Sequence, residues 1–496
     1  MPILRNDSRS IFVSQRWQQA DAPRFSVTQL LTIFLLFCLA AALAHAQSFT
    51  TLVIFDETNG GTPSWPLFQG TDGNFYGSTG YGGTGFEGTI FKTTPSGKLT
   101  TLQSLDYPHL SVQASHGGYY GTTVSGGPLE AGTVFKVTSA GKFTTLYYFC
   151  SLANCLDGDD PIGGVIQGTD GNFYGTTAGG GTFNYGTIFK ITPKGGLTTL
   201  YSFSSVGTVS AALLQGTDGN FYGTNTNGGA YGNGAIFRIT PQGAFTTLHS
   251  FEVTEGYPPY DALIQATDGN FYGTAYTGGA NDPALCEGLG CGTIFKMTPD
   301  GTVATLYSFC SQANCADGQW PEGSLVQGSD GNFYGTTDAG GAFGENCVFG
   351  LCGTVFQITP KGKLTTLHSF AGGDGSSPYA GLVQGTDGTF YGNTQMGADL
   401  SCAGGLGCGT VFNLSIGLAP FIETEPTSGK VGAVIAILGN NLTDATGVSF
   451  NGTAATFTAR RNMIDAKVPE GATTGPVIVT TPSGTLTANG VFRVTQ

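Results

Sequence analysis

Charge is scarce in this chain, and positive charge scarcest: 19 Lys and Arg among 496 residues, against 33 Asp and Glu, a net of −14. Residues 1–46 hold four Arg and two Asp, which leaves 15 basic and 31 acidic residues and a net of −16 beyond them. Phosphate backbones are gripped by Lys and Arg, so nucleic acid is excluded as an expected partner. Histidine is thin as well. Beyond residue 46 there are only His109, His116, His249 and His368, and the last two stand where Tyr201 stands in a repeated strand. No His-Glu-x-x-His, Gly-x-Ser-x-Gly or phosphate-cradling loop occurs. The many Gly-x-Gly strings precede no helix and read as turns. No catalytic residue, metal or cofactor is expected from these absences.

Long apolar runs are missing too, with one exception. Residues 30–43 are apolar, too short to span a bilayer comfortably, and follow Arg5, Arg9, Arg16 and Arg24. Ala44-His45-Ala46 closes the run with a small-x-small pattern, so residues 1–46 read as a signal peptide cut before Gln47. An uncleaved anchor helix is the other reading. Cys38, within the run, lacks the small residues that precede a lipidated cysteine.

What is abundant is glycine, 81 residues, set among Thr, Tyr, Phe and Ile, a composition that favours strands and tight turns. It is organised as a unit repeated seven times. The third copy reads Ile-Gln-Gly-Thr-Asp-Gly-Asn-Phe-Tyr-Gly-Thr-Thr over 166–177, Gly-Thr-Ile-Phe-Lys-Ile-Thr-Pro over 186–193 and Leu-Thr-Thr-Leu-Tyr-Ser-Phe over 197–203. The Gln near its start recurs at 69, 113, 167, 215, 265, 327 and 384. Each unit carries four strand candidates, a to d. Asp-Gly marks a hairpin turn between a and b, and Pro-x-Gly one between c and d. The repeated Asp residues (72, 170, 218, 268, 330 and 387) fit turn chemistry better than calcium, which wants six to eight oxygens.

The seventh copy ends after strand c, and an orphan copy of strand d lies at 49–55. The expected fold is therefore all-β: a seven-bladed β-propeller over 47–416, closed by an N-terminal strand, with an open β-solenoid as the alternative. After residue 416 the repeats stop and short alternating strands follow, suiting a small Ig-like β-sandwich over 417–496.

Ten cysteines beyond the leader fall in close pairs: Cys150/Cys155, Cys286/Cys291, Cys310/Cys315, Cys347/Cys352 and Cys402/Cys408. Local pairing behind an export signal points to five disulfides. Zinc would need a second Cys pair or a His beside each pair, and no His lies close in sequence. All five pairs occupy b–c or d–a loops, which share one face of a propeller. Trp65 and Trp320, each followed by Pro, also lie in d–a loops and either offer a stacking face to a sugar or pack beneath the loop. Asp157, Asp159 and Asp160 follow Cys155 and form either a cation site or a solvated acidic loop. Ligand-binding residues are expected among these five, because variable loops on a rigid scaffold carry function.

The repeat strings resemble the GloVer (Gloeo/Verruco-type) tandem repeat of exported bacterial proteins, over about 49–415. The second copy departs, with Ala114-Ser-His-Gly-Gly-Tyr-Tyr-Gly121 lacking the Asp-Gly-Asn turn. The tail looks like an IPT/TIG domain through Pro420, Pro426, Gly429, Gly432, Ile437, Gly439, Asn441 and Leu442. Neither resemblance implies a catalytic motif. The expectation is a secreted, cell-surface or periplasmic monomer, without a transmembrane segment after cleavage. It would bind an extracellular glycan or protein without catalysis, with the tail as spacer or accessory binding module. The alternative is an enzyme acting on a polymer or small molecule at the propeller's central opening.

Overall fold

The computed structural model of the protein describes residues 47–85, 87–114, 117–204, 211–280, 286, 288–343, 347 and 350–495. The leader with Cys38, and His116, lie outside the described residues. Among the described residues no helix is long and apolar enough to cross a membrane.

The chain is all-β. In the third unit the strands are Val165–Gln167, Phe173–Thr177, Thr187–Ile191 and Leu197–Ser202, paired antiparallel in chain order. The same four-stranded sheet is found for each of the seven units. Strand b is buried along its whole length, whereas strand d is half-buried apart from an exposed Thr198. The inner strands can be short because side chains hold them. Asp170 accepts from the Asn172 backbone N–H at 3.1 Å, the Tyr174 hydroxyl at 2.8 Å and the Lys190 ammonium at 2.7 Å. The corresponding Asp–Tyr bond recurs in five other units. The repeated aspartate is thus consumed by its own turn.

Among the described residues, two side chains join neighbouring sheets. The opening Gln accepts from a backbone N–H in the a–b turn of the preceding unit, as in Thr169 to Gln215 at 2.9 Å and Thr217 to Gln265 at 2.8 Å. The strand-b Tyr stacks on the first aromatic of the following strand b, at centroid distances of 3.8–4.3 Å. Both patterns run from the last unit back to the first. Thr386 donates to Gln69 at 2.9 Å, and Tyr391 stacks on Phe75 at 3.8 Å.

The last sheet takes its fourth strand from the other end of the chain. Ser48–Ile54 pairs antiparallel with Thr410–Ser415, Ser48 opposite Ser415 and Ile54 opposite Thr410. Val53 and Phe55 enter the core where the last and first units meet.

Beyond residue 416, two four-stranded sheets and a two-stranded parallel pair enclose a separate core that includes Ile422, Ile437, Phe450, Ile464 and Val479. This segment lies against the a–b turns. Phe421 N–H donates to the Thr386 carbonyl at 3.1 Å, and the Asn489 amide donates to the Gln327 carbonyl at 3.1 Å. Glu423 and Glu425 face a cavity of about 120 Å³ beside Gln69 and Gln113.

Candidate functional site

The site grows from a short segment that the repeat holds in constant register. A proline stands six residues before the opening Gln at Pro63, Pro161, Pro259, Pro321 and Pro378, and five before it at Pro108. Its ring packs on the glycine that precedes strand c in the previous unit. That glycine has positive φ, and a Cβ on Gly234 would come within 2.7 Å of Pro259 Cδ. Two residues later the backbone is pinned again. A strand-b side chain of the previous unit donates to the carbonyl four before the Gln: Thr224 to Asp261 at 3.3 Å, Thr336 to Ala380 at 3.0 Å and Asn393 to Trp65 at 2.8 Å. The side chains between these anchors are therefore aimed by backbone that the whole ring fixes.

They converge. One cavity of about 280 Å³ takes a lining segment from each of the seven units, including Trp65, His109, Tyr260, Asp261, Glu322 and Tyr379. These residues lie at the d–a end of strand a, opposite the turns that the C-terminal segment covers. Trp65 and His109 stack face to face at 4.2 Å. Tyr260 meets Tyr276 edge-on at 5.4 Å, and Tyr276 meets Trp320 at 5.7 Å, so an aromatic wall leads outward from the cavity.

Between the aromatic residues sit acids. Glu322 is 9% exposed, and among the described residues its buried Oε2 has no hydrogen-bond partner. Burial, then the charges of Asp338 and Asp261, push its carboxyl up to about 9. Asp261 is deep in the cavity and accepts the N–H groups of Ala262 and Ser324, each at 2.6 Å. Burial raises its pKa, and that of Asp338, whose carboxylate accepts the Ser377 hydroxyl. His109 is pulled down to about 4 by burial. Its Nδ1 lies 2.9 Å from the Ile162 carbonyl, which can only accept, so Nδ1 carries the proton and Nε2 is an unprotonated acceptor. At neutral pH the cavity therefore holds a protonated carboxyl, a neutral imidazole and one further acid, Asp261, with Asp338 near Glu322 behind the lining. These acids do not close into a cage. Among the described residues only two groups bring three or more ligating atoms within 4.8 Å of one another, and both are built on cysteines.

The family model described as the Gloeobacter/Verrucomicrobia repeat matches residues 107–314 and 209–453. The chain belongs to this repeat family. No curated protein matches it. Among solved structures it is similar to the extracellular domain assigned to a hybrid two-component system of B. thetaiotaomicron, at 12% identity and TM-score 0.47, covering 90% of this chain and 55% of that one. It thus spans about half of that extracellular domain. It is also similar to a gluconolactonase from Xanthomonas campestris, at 12% identity and TM-score 0.39, covering 80% and 95%. A luciferin-regenerating enzyme is similar at 12% identity and TM-score 0.40, covering 76% and 98%.

Of the residues singled out in the sequence of this repeat-family member, Trp65 lines the cavity and Trp320 stands at the outer end of its aromatic wall. Asp157 does neither. It is fully buried and accepts from the Tyr147 hydroxyl at 2.8 Å and the backbone N–H groups of Ser151 and Leu152 at 2.9 and 3.0 Å. Asp317 does the same in the other Cys-x₄-Cys d–a loop, with Tyr307, Ser311 and Gln312. Asp159 and Asp160 precede Pro161 and do not line the cavity. Burial raises both pKa values, and Asp160 and Asp157 raise that of Asp159 further. The structure joins Cys150 to Cys155, Cys286 to Cys291, Cys310 to Cys315, Cys347 to Cys352 and Cys402 to Cys408. Glu322, Asp261, Asp338 and His109 were missed in the sequence. For Glu322, Asp261 and His109 the signal is position: acids and a histidine in the few residues before the opening Gln, where other units carry Gly, Ala or Ile, whereas Asp338 follows strand b and carries no such signal.

Proposed function

We propose that the chain is an exported binding protein whose residues 47–416 form a seven-bladed β-propeller and whose residues 417–496 form an Ig-like domain of IPT/TIG type. In this reading a small, uncharged, hydroxyl-rich ligand of the glycan class is held in the axial cavity. The observation that carries the reading is Glu322, with a buried oxygen that none of the described residues satisfies, set among aromatic rings in a cavity fed by every repeat. A buried polar atom without a partner is costly, and a ligand hydroxyl would supply the bond. Asp261 and Asp338 repel anions, and the acids are too dispersed for a preformed cation cage. Trp65 and Tyr260 offer flat apolar surface to the C–H face of a sugar. At about 280 Å³ the cavity is at the small end of ligand sites, which suits one or two sugar rings. The five disulfides fit an extracellular or periplasmic setting.

A second reading has one specific observation behind it. A carboxyl held protonated near two other acids, with an unprotonated imidazole nitrogen lining the same cavity, is the environment splitting that acid–base catalysis uses. Glycan-array binding followed by mass analysis of each captured saccharide separates the two. Binding reduced at least about tenfold by Glu322→Gln or Trp65→Ala, with saccharides recovered intact, supports the binding protein. Cleaved or rearranged saccharide, lost with Glu322→Gln, would make it an enzyme. Capture that survives both substitutions would remove the cavity from either reading.

A further inference from the structure

We propose that Cys286, Cys291, Cys310 and Cys315, once their two disulfides are reduced, form a four-thiolate tetrahedral site for a divalent zinc ion. The repeat dictates the juxtaposition. Cys291 lies just before the strand Thr293–Met297 and Cys310 just after its antiparallel partner Val303–Ser308. Thr293 pairs with Ser308, and Phe309 N–H donates to the Gly292 carbonyl at 3.0 Å, which sets positions 291 and 310 side by side. Each brings its near neighbour. The Sγ atoms of Cys286 and Cys310 are 3.7 Å apart, and all four sulfurs lie within 4.8 Å of one another.

These spacings match the chemistry. A zinc–thiolate bond of about 2.3 Å gives a tetrahedron with sulfur–sulfur edges of about 3.75 Å, already the Cys286–Cys310 separation. The bonded sulfurs within each pair must part, and the remaining cross-pair separations, all within 4.8 Å, need to close by no more than about 1 Å. The four cysteines are 1–8% exposed and pack in one cluster with Ile294, Phe309 and Phe356, a dry shell suited to a closed structural site. The Gln319 amide oxygen lies 3.4 Å from Cys286 Sγ and 3.6 Å from Cys310 Sγ. Turned over, that amide donates N–H groups to thiolates, the outer-shell contact such sites use. The sequence argued against zinc because no His lies close to any pair, which left a second Cys pair as the remaining requirement. Folding supplies one here, because the fifth unit alone carries cysteines in both its b–c loop and the following d–a loop.

Reduction by a trialkylphosphine and water converts each disulfide to two thiols and the phosphine to its oxide. Zinc then displaces four thiol protons, which pass to the buffer. The two bridges and the ion are alternatives: the oxidised chain holds the first, the reduced chain the second. This inference does not depend on the axial cavity.

The test uses the full chain reduced with a water-soluble phosphine, with zinc measured by plasma mass spectrometry and cysteine alkylation mapped by peptide mass. The expected result is one zinc per chain. Cys286, Cys291, Cys310 and Cys315 should be protected from alkylation until a chelator is added, while the other pairs react. Cys286→Ser with Cys310→Ser should lose the zinc, Cys150→Ser with Cys155→Ser should keep it, and Gln319→Ala should weaken it about tenfold. Equal alkylation of all ten paired cysteines in the presence of zinc, or zinc retained by the Cys286→Ser, Cys310→Ser protein, would overturn the proposal. Protection in the unsubstituted chain decides the matter even where a substituted chain fails to fold.

Discussion

Glu322 shows what a single position in the repeat can do. Its carboxyl, ordinarily near 4.5, is pushed up to about 9 by burial. Between those values the folded state holds a proton that the unfolded state has released, so stability falls as pH rises through the window. His109 acts with the opposite sign and lower down. Lowered from 6.5 to about 4, it is neutral when folded and charged when unfolded, so its share is lost as pH falls through that interval. Thermal melts of Glu322→Gln should therefore show a smaller drop between about pH 5 and pH 9 than those of the unsubstituted chain; an unchanged drop would place the titrating group elsewhere. Glycine matters at one register position. Gly234→Ala puts a Cβ against the Pro259 ring at φ +104° and should cost about 1–3 kcal/mol in denaturant melts. The site was only partly legible in the sequence. Trp65 stood out because tryptophan is rare. Glu322 and Asp261 looked like ordinary loop acids, since nothing local says that their segments meet on one axis. Asp157 drew attention for its acidity, but its twin Asp317, two residues after Cys315 as Asp157 is after Cys155, carried the better clue. The same residue at the same place in two loops serves the loop.

At the scale of elements, the strand Ser48–Ile54 closes what the repeats begin. Removing 47–55 bares the edge of Thr410–Ser415 and takes Val53 and Phe55 out of the core between the last and first units. The truncated chain should lose its single cooperative melt and become protease-sensitive, and a synthetic peptide spanning those residues should restore both properties. A truncated chain that melts like the full one would show that the closing strand is dispensable. This part of the fold was legible because most of the units repeat the same hairpin turn chemistry and the missing and orphan strands complement each other. The role of the opening Gln was not. Its bond runs to a different unit, and a repeated polar residue inside a strand gives no hint of its direction. The loops between strands b and c are the least legible, since their glycines permit many conformations.

At the scale of the whole molecule, the two ends of the axis differ. The C-terminal segment covers the a–b turns and presents Glu423 and Glu425 to a cavity there, while the axial cavity lies at the other end. Burial, then the neighbouring Glu423, push Glu425 up to about 8, so docking of this segment favours the protonated form and should weaken as pH rises from about 4.5 through 8. Limited proteolysis of residues 416–420 should be faster at about pH 9 than at about pH 6, and Glu425→Gln should abolish the difference. Equal rates for the unsubstituted chain would separate these acids from docking. The central claim is that seven unlike segments, held in one register, build a single ligand site on the axis. A crystal structure of residues 47–496 soaked with a saccharide captured on the array tests it most directly. The expected result is ligand density against Trp65 and His109, with a hydroxyl bonded to Glu322 Oε2. Density at the acidic loop of Asp159 and Asp160, with the axial cavity empty, would contradict it.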